Sequence, residues 1–180
     1  MKILEQDTGN YTLFKDNNNF ISFCPSRGGI ITKWVVNNQH ILYFDQKRFL
    51  DKSKSIRGGI PILFPICGNL ENKYLFGDNF LDLMQHGFAR DQEWNYGFNQ
   101  LNKSLCLTLS DNEITRRYYP YFFEIKIDIT LSIKTLRFNI EIFNKSDSIM
   151  PANFGLHPYF NISDFQNVKF LDYSKCCLNQ

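Results

Sequence analysis

The sequence predicts an all-β fold of the sandwich type, and three observations carry that prediction. Apolar and polar residues alternate with a period of two through "FFEIKIDITLSI" at 122–133, and again through "LRFNIEIF" at 136–143. Aromatic residues make up 16% of the chain, with 18 Phe among them, and Phe and Tyr suit the pleated, half-buried surface of a strand. Helical periodicity is nearly absent, and many short strands separated by turns read as a sandwich.

The elements follow in order. "NFISFCP" (19–25) and "GIITKWVV" (29–36) are short, β-branched and aromatic, with "RGG" between them. The pair "NN" marks a turn, after which "QHILYFD" (39–45) reads as the next strand. "SLCLTLS" (104–110) places Leu105, Leu107 and Leu109 on one face. In 122–133 the apolar face holds Phe123, Ile125, Ile127, Ile129, Leu131 and Ile133, and the polar face holds Glu124, Lys126, Asp128, Thr130 and Ser132. A tight turn at Lys134–Thr135 makes this strand and 136–143 an antiparallel hairpin. "VKFLDY" (168–173) adds a weaker strand. No repeat, low-complexity tract or linker interrupts the chain. Its 180 residues, set against about 150 per domain, predict one domain over 1–180.

Charge and composition narrow the function. Twenty basic and eighteen acidic residues leave a net charge of +2, too balanced for a nucleic-acid or membrane-surface partner. "GIPILFPICG" is too short and too broken by proline to span a bilayer. The opening "MKILEQDTGN" lacks the apolar region of a secretory signal, so the expected location is cytoplasmic. There the glycosylation tripeptides at Asn10, Asn102, Asn144 and Asn161 carry no meaning. Five cysteines without a CxxC read as reduced thiols. The terminal "CLNQ" has Asn179 where a prenylation box wants an aliphatic residue.

Three stretches break the alternation: "IRGGIPILFPICGNL" (56–70), "MQHGFARDQEWN" (84–95) and "MPANFGLHPYFNI" (150–162). Each mixes Gly or Pro with Arg or His and aromatics, and loops on a rigid scaffold are where sites are built. Arg57 stands directly against a run that can only be buried. It reads either as a pocket arginine facing an anionic or polyhydroxylated ligand, or as an ordinary surface charge. His86 and His157 lie in these stretches, whereas His40 reads as a structural residue at a strand edge. His157, between "NFGL" and "PYF", suits proton transfer near neutral pH or a satisfied place in the core. Phe88 and Trp94 fit core packing better than the floor of a sugar site. No zinc spacing, nucleophile elbow, P-loop or dinucleotide fingerprint occurs. General acid–base chemistry with polar binding groups is what remains, with no metal and no cofactor.

"IRGGIPILFP", "QHGFAR" and "GLHPYF", in this order, resemble the aldose 1-epimerase (galactose mutarotase-like) superfamily, and within it the D-hexose-6-phosphate mutarotase (glucose-6-phosphate 1-epimerase) branch. The resemblance runs from about Gly9 to the end. It implies a galactose mutarotase-like supersandwich, incomplete at the C-terminus, with its ligand in a groove across one sheet. It implies that Arg57, Gln85, His86 and Arg90 bind a sugar or sugar phosphate and that His157 is the general acid. It also implies that the base, a glutamate, lies beyond position 180, together with a substrate-binding aspartate. Glu71, Glu93, Glu113, Glu124 and Glu141 match no catalytic position of the family, and Glu124 and Glu141 belong to solvated strand faces. The implied activity is interconversion of sugar anomers, impaired here or completed by a second chain. The alternative is a sugar-phosphate-binding module of the same fold without turnover.

Overall fold

The computed structural model describes residues 2–6, 9–70, 74–76, 79–80 and 82–169. The first five strands form an antiparallel meander: β1 (Lys2–Gln6), β2 (Asn10–Asp16), β3 (Asn19–Cys24), β4 (Ile30–Val36) and β5 (Gln39–His40). The β4–β5 hairpin turns on Asn37 and Asn38, at φ 50° and 63°. Two consecutive left-handed residues match the right-handed twist of the flanking strands, and asparagine tolerates that conformation better than most side chains. A buried hydroxyl pair, Thr12 to Ser22 at 3.0 Å, ties β2 to β3.

The chain then passes through α1 (Gln46–Leu50), β6 (Ile62–Leu63), the pair β7 (Tyr74–Phe76) and β8 (Asn79–Phe80), and a 3₁₀ turn at Ala89–Asp91. A second antiparallel sheet follows, from β9 (Asn95–Asn99), β10 (Ser104–Ser110), β11 (Phe123–Leu131) and β12 (Leu136–Asn144), in the order β12-β11-β10-β9. Between β10 and β11 lies α2 (Glu113–Tyr118). Asn112 caps it, accepting from the backbone of Ile114 and Thr115, while the Thr115 hydroxyl accepts from the Asn112 backbone. The last strand, β13 (Gly155–Leu156), pairs with β6.

Alternation sets the core. Register places Leu105, Leu107 and Leu109 opposite Ile129, Ile127 and Ile125, and all six are buried. They meet Leu13, Ile21, Phe23 and Ile31 of the first sheet in one cluster, filled out by Phe64, Phe88, Trp94, Tyr119 and Phe123. Burying a side chain of this size stabilises the fold by about 1.5–3 kcal/mol. Phe88 and Trp94 are therefore core residues, and the Trp94 indole donates to the Ala89 carbonyl at 3.0 Å. The polar face of β11 carries Glu124, bridged to Lys126 at 3.1 Å, and Lys126 stands opposite exposed Glu141.

Several expectations are corrected. The hairpin pairs Leu131 with Leu136, and Ser132 N–H donates to the Thr135 carbonyl at 2.9 Å, so the turn centres on Ile133–Lys134. Ile133 accordingly leaves the apolar face and is half exposed. Residues 39–45 are not one strand. After His40 the run changes partners, with Leu42 bridged to Phe160 and Phe44 to Gly58. Strands β1, β2 and β9 and the two short helices have no counterpart among those expectations. Val168 and Lys169 lie outside any strand, and the rest of "VKFLDY" falls outside the described residues. Cys24 is buried, Cys67 and Cys106 are half-buried, and all three are free thiols. Glu71, Cys176, Cys177 and the terminal tetrapeptide lie outside the described residues. Among the described residues no helix is long and apolar enough to cross a membrane.

The two strands of the hairpin differ in depth on their shared apolar face. Ile127 is fully enclosed between Leu107 and Ile140, whereas Ile142, on β12 at the sheet edge, is 37% exposed. Ile127→Ala is expected to lower unfolding stability by about 2–5 kcal/mol and Ile142→Ala by about 1 kcal/mol or less. Urea unfolding of both variants checks this, and equal losses would contradict the difference in burial between the inner and the edge strand.

Candidate functional site

Three distant segments meet at one backbone junction. The Tyr43 N–H donates to the Tyr159 carbonyl at 2.9 Å, Tyr159 N–H to the Gly59 carbonyl at 2.9 Å, and Gly59 N–H to the Tyr43 carbonyl at 2.8 Å. The ring of bonds closes on itself. Flanking bonds extend each pairing: Asp45 N–H to Arg57 carbonyl at 3.0 Å, His157 N–H to Pro61 carbonyl at 3.0 Å, and Asn161 N–H to Ile41 carbonyl at 2.8 Å. Ile60 N–H to the Ile31 carbonyl, at 2.9 Å, fastens the junction to β4. Gly59 sits at φ 67°, and a Cβ there would lie 2.4 Å from the Ile31 carbonyl oxygen. The position therefore needs glycine both for its left-handed backbone and for its close neighbour.

A second loop docks on the other end of the same apolar run. Phe88 and Ala89 N–H groups both donate to the Phe64 carbonyl, at 2.9 and 3.2 Å. Gly87, at φ 71°, passes so near that a Cβ would stand 2.2 Å from that oxygen. His86 is also left-handed, at φ 69°. Its N–H donates to the Gly68 carbonyl at 2.7 Å, and its Nδ1 accepts from the Gly68 N–H at 2.9 Å. The neutral ring thus carries its proton on Nε2.

These two devices bring the sequence-predicted residues together. Arg57 is exposed, and its Nη1 donates to the Tyr159 hydroxyl at 3.4 Å. The Tyr159 ring stacks on His157, centroids 4.8 Å apart at 27°. His157 meets His86 edge to face at 5.7 Å and 69°. Beyond His86, Arg90 Nη2 donates to the Gln85 carbonyl at 2.9 Å, and its Nε lies 3.6 Å from Asp91 Oδ2. Gln85 enters through its backbone, with its side chain exposed. Tyr159 is the member that the sequence reading did not single out. Its signal was its spacing: two residues past His157 in an extended segment puts both side chains on one face.

The electrostatics are one-sided. Burial first, then the positive charges of Arg90, His157 and Arg57, hold the His86 imidazole below the usual histidine range. The lowered pKa favours the neutral ring, which offers its Nε2–H as a hydrogen-bond donor beside the guanidinium groups. Among the described residues no ion pair engages Arg57, and no group of three or more His, Cys, Asp and Glu could hold a metal ion. Such an arrangement can hold an anion or a ring of hydroxyls and pass a proton to it. A separate apolar cavity of about 310 Å³, lined by Leu83, Met84, Phe88, Ile114 and Tyr118 among others, includes none of Arg57, His86 and His157. His40 lies apart from the cluster, in β5 and exposed.

The fold and these segments have relatives. A family model described as Aldose 1-epimerase matches residues 11–180. The crystal structure of the Slr1438 protein from Synechocystis sp. PCC 6803 is 43% identical, with a TM-score of 0.75 over 88% of this chain and 53% of that one. A galactose mutarotase related enzyme from Lactobacillus acidophilus is 28% identical, with a TM-score of 0.71 over 89% of this chain and 51% of its own. A protein of Cenchrus ciliaris, provisionally named a glucose-6-phosphate 1-epimerase, is 29% identical over 154 residues, 79% of this chain and 44% of that protein. The chain spans about half the length of the proteins it matches. By the family match over residues 11–180, on a fold shared with galactose mutarotase-like structures, the chain belongs to the aldose 1-epimerase family.

Proposed function

We propose that this chain binds a hexose, with preference for a hexose 6-phosphate, and supplies the acid for interconversion of its anomers. The observation that carries the reading is the gathering of Arg57, His86, Arg90 and His157, from three segments up to a hundred positions apart, into one cluster of hydrogen-bond donors in which Arg57 has no ion-pair partner among the described residues. The provisional name of the Cenchrus ciliaris relative supports the phosphorylated substrate. The expected compartment is the cytoplasm, and residues 1–180 then form part of a single domain.

In this reading Arg57 and Arg90 meet phosphate or hydroxyl oxygens with planar forks of donors. His86, neutral and fixed by Gly68, offers Nε2–H to a sugar hydroxyl. His157, protonated, gives its proton to the ring oxygen while a base takes the proton of the anomeric hydroxyl. The C1–O5 bond breaks, leaving the open-chain aldehyde, which turns about C1–C2. Closure reverses both transfers, so acid and base are restored and no atom is gained or lost. Among the described residues the charges acting on His86 are positive, and the carboxylate of Asp91 already engages Arg90. The base therefore comes from outside the described residues, on the same polypeptide or on a second chain. The same observation favours a second reading, in which the chain binds sugar phosphate and turns nothing over.

Isothermal titration should show glucose 6-phosphate binding more tightly than glucose, with added salt narrowing the difference. Arg57→Ala should weaken glucose 6-phosphate binding about tenfold and leave glucose nearly unaffected, since a charge-assisted hydrogen bond is worth roughly 1.5–3 kcal/mol before solvent screening. Equal affinity for the two sugars would sink the phosphate preference.

Exchange spectroscopy between the anomers of glucose 6-phosphate tests the chemistry. The isolated chain should accelerate exchange little, because each general acid or base contributes on the order of 10²–10⁴-fold. Rapid exchange that His157→Ala abolishes would place a base within residues 1–180 and overturn that part.

A pH dependence follows from His86. Its folded pKa lies below that of the unfolded chain, so between the two values the unfolded state binds more protons. Stability is unaffected above about pH 6.5, falls as the pH drops below it, and levels once the folded ring is itself protonated. His86→Asn keeps an acceptor for the Gly68 N–H and tolerates φ 69°, but does not titrate. Its melting temperature should fall less between pH 7 and 5 than that of the unaltered chain, and parallel curves would refute the assignment.

A further inference from the structure

We infer that Tyr159 is a positioning residue whose phenol ties the Arg57 guanidinium to the His157 imidazole, setting the spacing between an anion-holding group and a proton donor. The roles of those two groups rest on the reading above; the link itself rests on geometry. His157 and Tyr159 stand two apart in an extended segment, and both donate their N–H groups to the 59–61 backbone, at 3.0 and 2.9 Å. Their side chains thus leave on one face, and the rings stack at 4.8 Å and 27°. Tyr159 is also held from the opposite side, its carbonyl accepting from Tyr43 N–H at 2.9 Å. Both of its backbone polar groups are bonded within the junction, so the root of its ring is among the best-fixed points of the site.

Arg57 is otherwise a long, exposed side chain with no described carboxylate in ion-pair reach. The Tyr159 hydroxyl is its polar anchor, at 3.4 Å. A phenol suits that task better than a carboxylate. It orients the guanidinium by accepting one of its hydrogen bonds, yet leaves the positive charge unneutralised for an incoming anion. Its ring meanwhile supports the His157 imidazole from one face. One side chain thereby fixes two functional groups contributed by segments a hundred residues apart.

Tyr159→Phe separates the two halves of this role, since it removes the hydroxyl and keeps the ring. In the ligand-free protein, ¹⁵N relaxation should show the Arg57 Nε–H order parameter falling toward that of exposed Arg137, while nuclear Overhauser contacts between the residue 159 ring and His157 persist. An unchanged order parameter in a variant that keeps the native amide spectrum would overturn the inference. In Tyr159→Leu the His157 contacts should also be lost. With glucose 6-phosphate as probe, Tyr159→Phe should weaken binding about three- to tenfold, and should add nothing further in an Arg57→Ala background. Equal losses in both backgrounds would mean that Tyr159 does not act through Arg57. If the unaltered chain fails to bind glucose 6-phosphate, the sugar reading falls, while the relaxation measurement still decides whether the phenol holds the arginine.

Discussion

The site hangs on three backbone hydrogen bonds, from Tyr43 to Tyr159, from Tyr159 to Gly59 and from Gly59 back to Tyr43. Each partner comes from a segment that has left regular sheet pairing, so its polar groups must be satisfied locally or go unpaired beneath the surface. The closed ring satisfies six groups at once and locks the three segments in a single register. Arg57, two residues before Gly59, and His157, two before Tyr159, inherit their positions from that register. A glycine at 59 is the steric condition, because the Ile31 carbonyl occupies the space that a side chain would need.

The apolar run from Ile60 to Ile66 is the rigid bar between the junction and the second loop. It is buried throughout, with Phe64 fully enclosed among Phe88, Tyr119 and Phe123. At one end it presents the Gly59 carbonyl to Tyr159. Further along, it presents the Phe64 carbonyl to Phe88 and Ala89, which sets His86 beside His157. Packing thus does the work of bringing like charges together. Burial first, and then repulsion from the gathered positive charges, disfavours the charged form of His86 and lowers its pKa, and that repulsion is a cost of the gathering. A bound anion would relieve it, which gives the cluster a physical reason to prefer a phosphorylated ligand in the function proposed.

How much was legible varied with the kind of signal. The period of two at 122–133 and 136–143 declared the hairpin, its inward face and the solvated position of Glu141, with Glu124 half-buried on the same polar face, because a sheet with one buried face leaves that pattern in any chain that forms it. The hairpin turn slipped by one residue, since Ile133 reads as strand by composition and only the Ser132–Thr135 pairing assigns it to the turn. The tetrapeptide Arg-Gly-Gly-Ile occurs twice, at 27–30 and 57–60, and its arginines have opposite fates. Arg27 is 91% buried, donates Nη2 to the Lys54 carbonyl at 2.9 Å and lies 4.9 Å from the centre of the Phe49 ring. Arg57 is exposed beside Tyr159. No local rule separates the two, because what differs is the neighbours that the fold supplies.

By itself the sequence determined the β class, the hairpin, the inward leucines and isoleucines of 104–110 and 123–131, and the three irregular stretches from which the candidate site is drawn. These are local properties, written in alternation and in Gly and Pro placement. Tertiary structure alone decided that Arg57 rather than Arg27 faces solvent, that residues 39–45 change partners midway, that the His86 imidazole is held below the usual histidine range, and that Tyr159 stands between Arg57 and His157. Each of these depends on contacts between segments from about twenty to more than a hundred residues apart. Such contacts are set by register, burial and the field of neighbouring charges, and none of the three exists until the chain has folded.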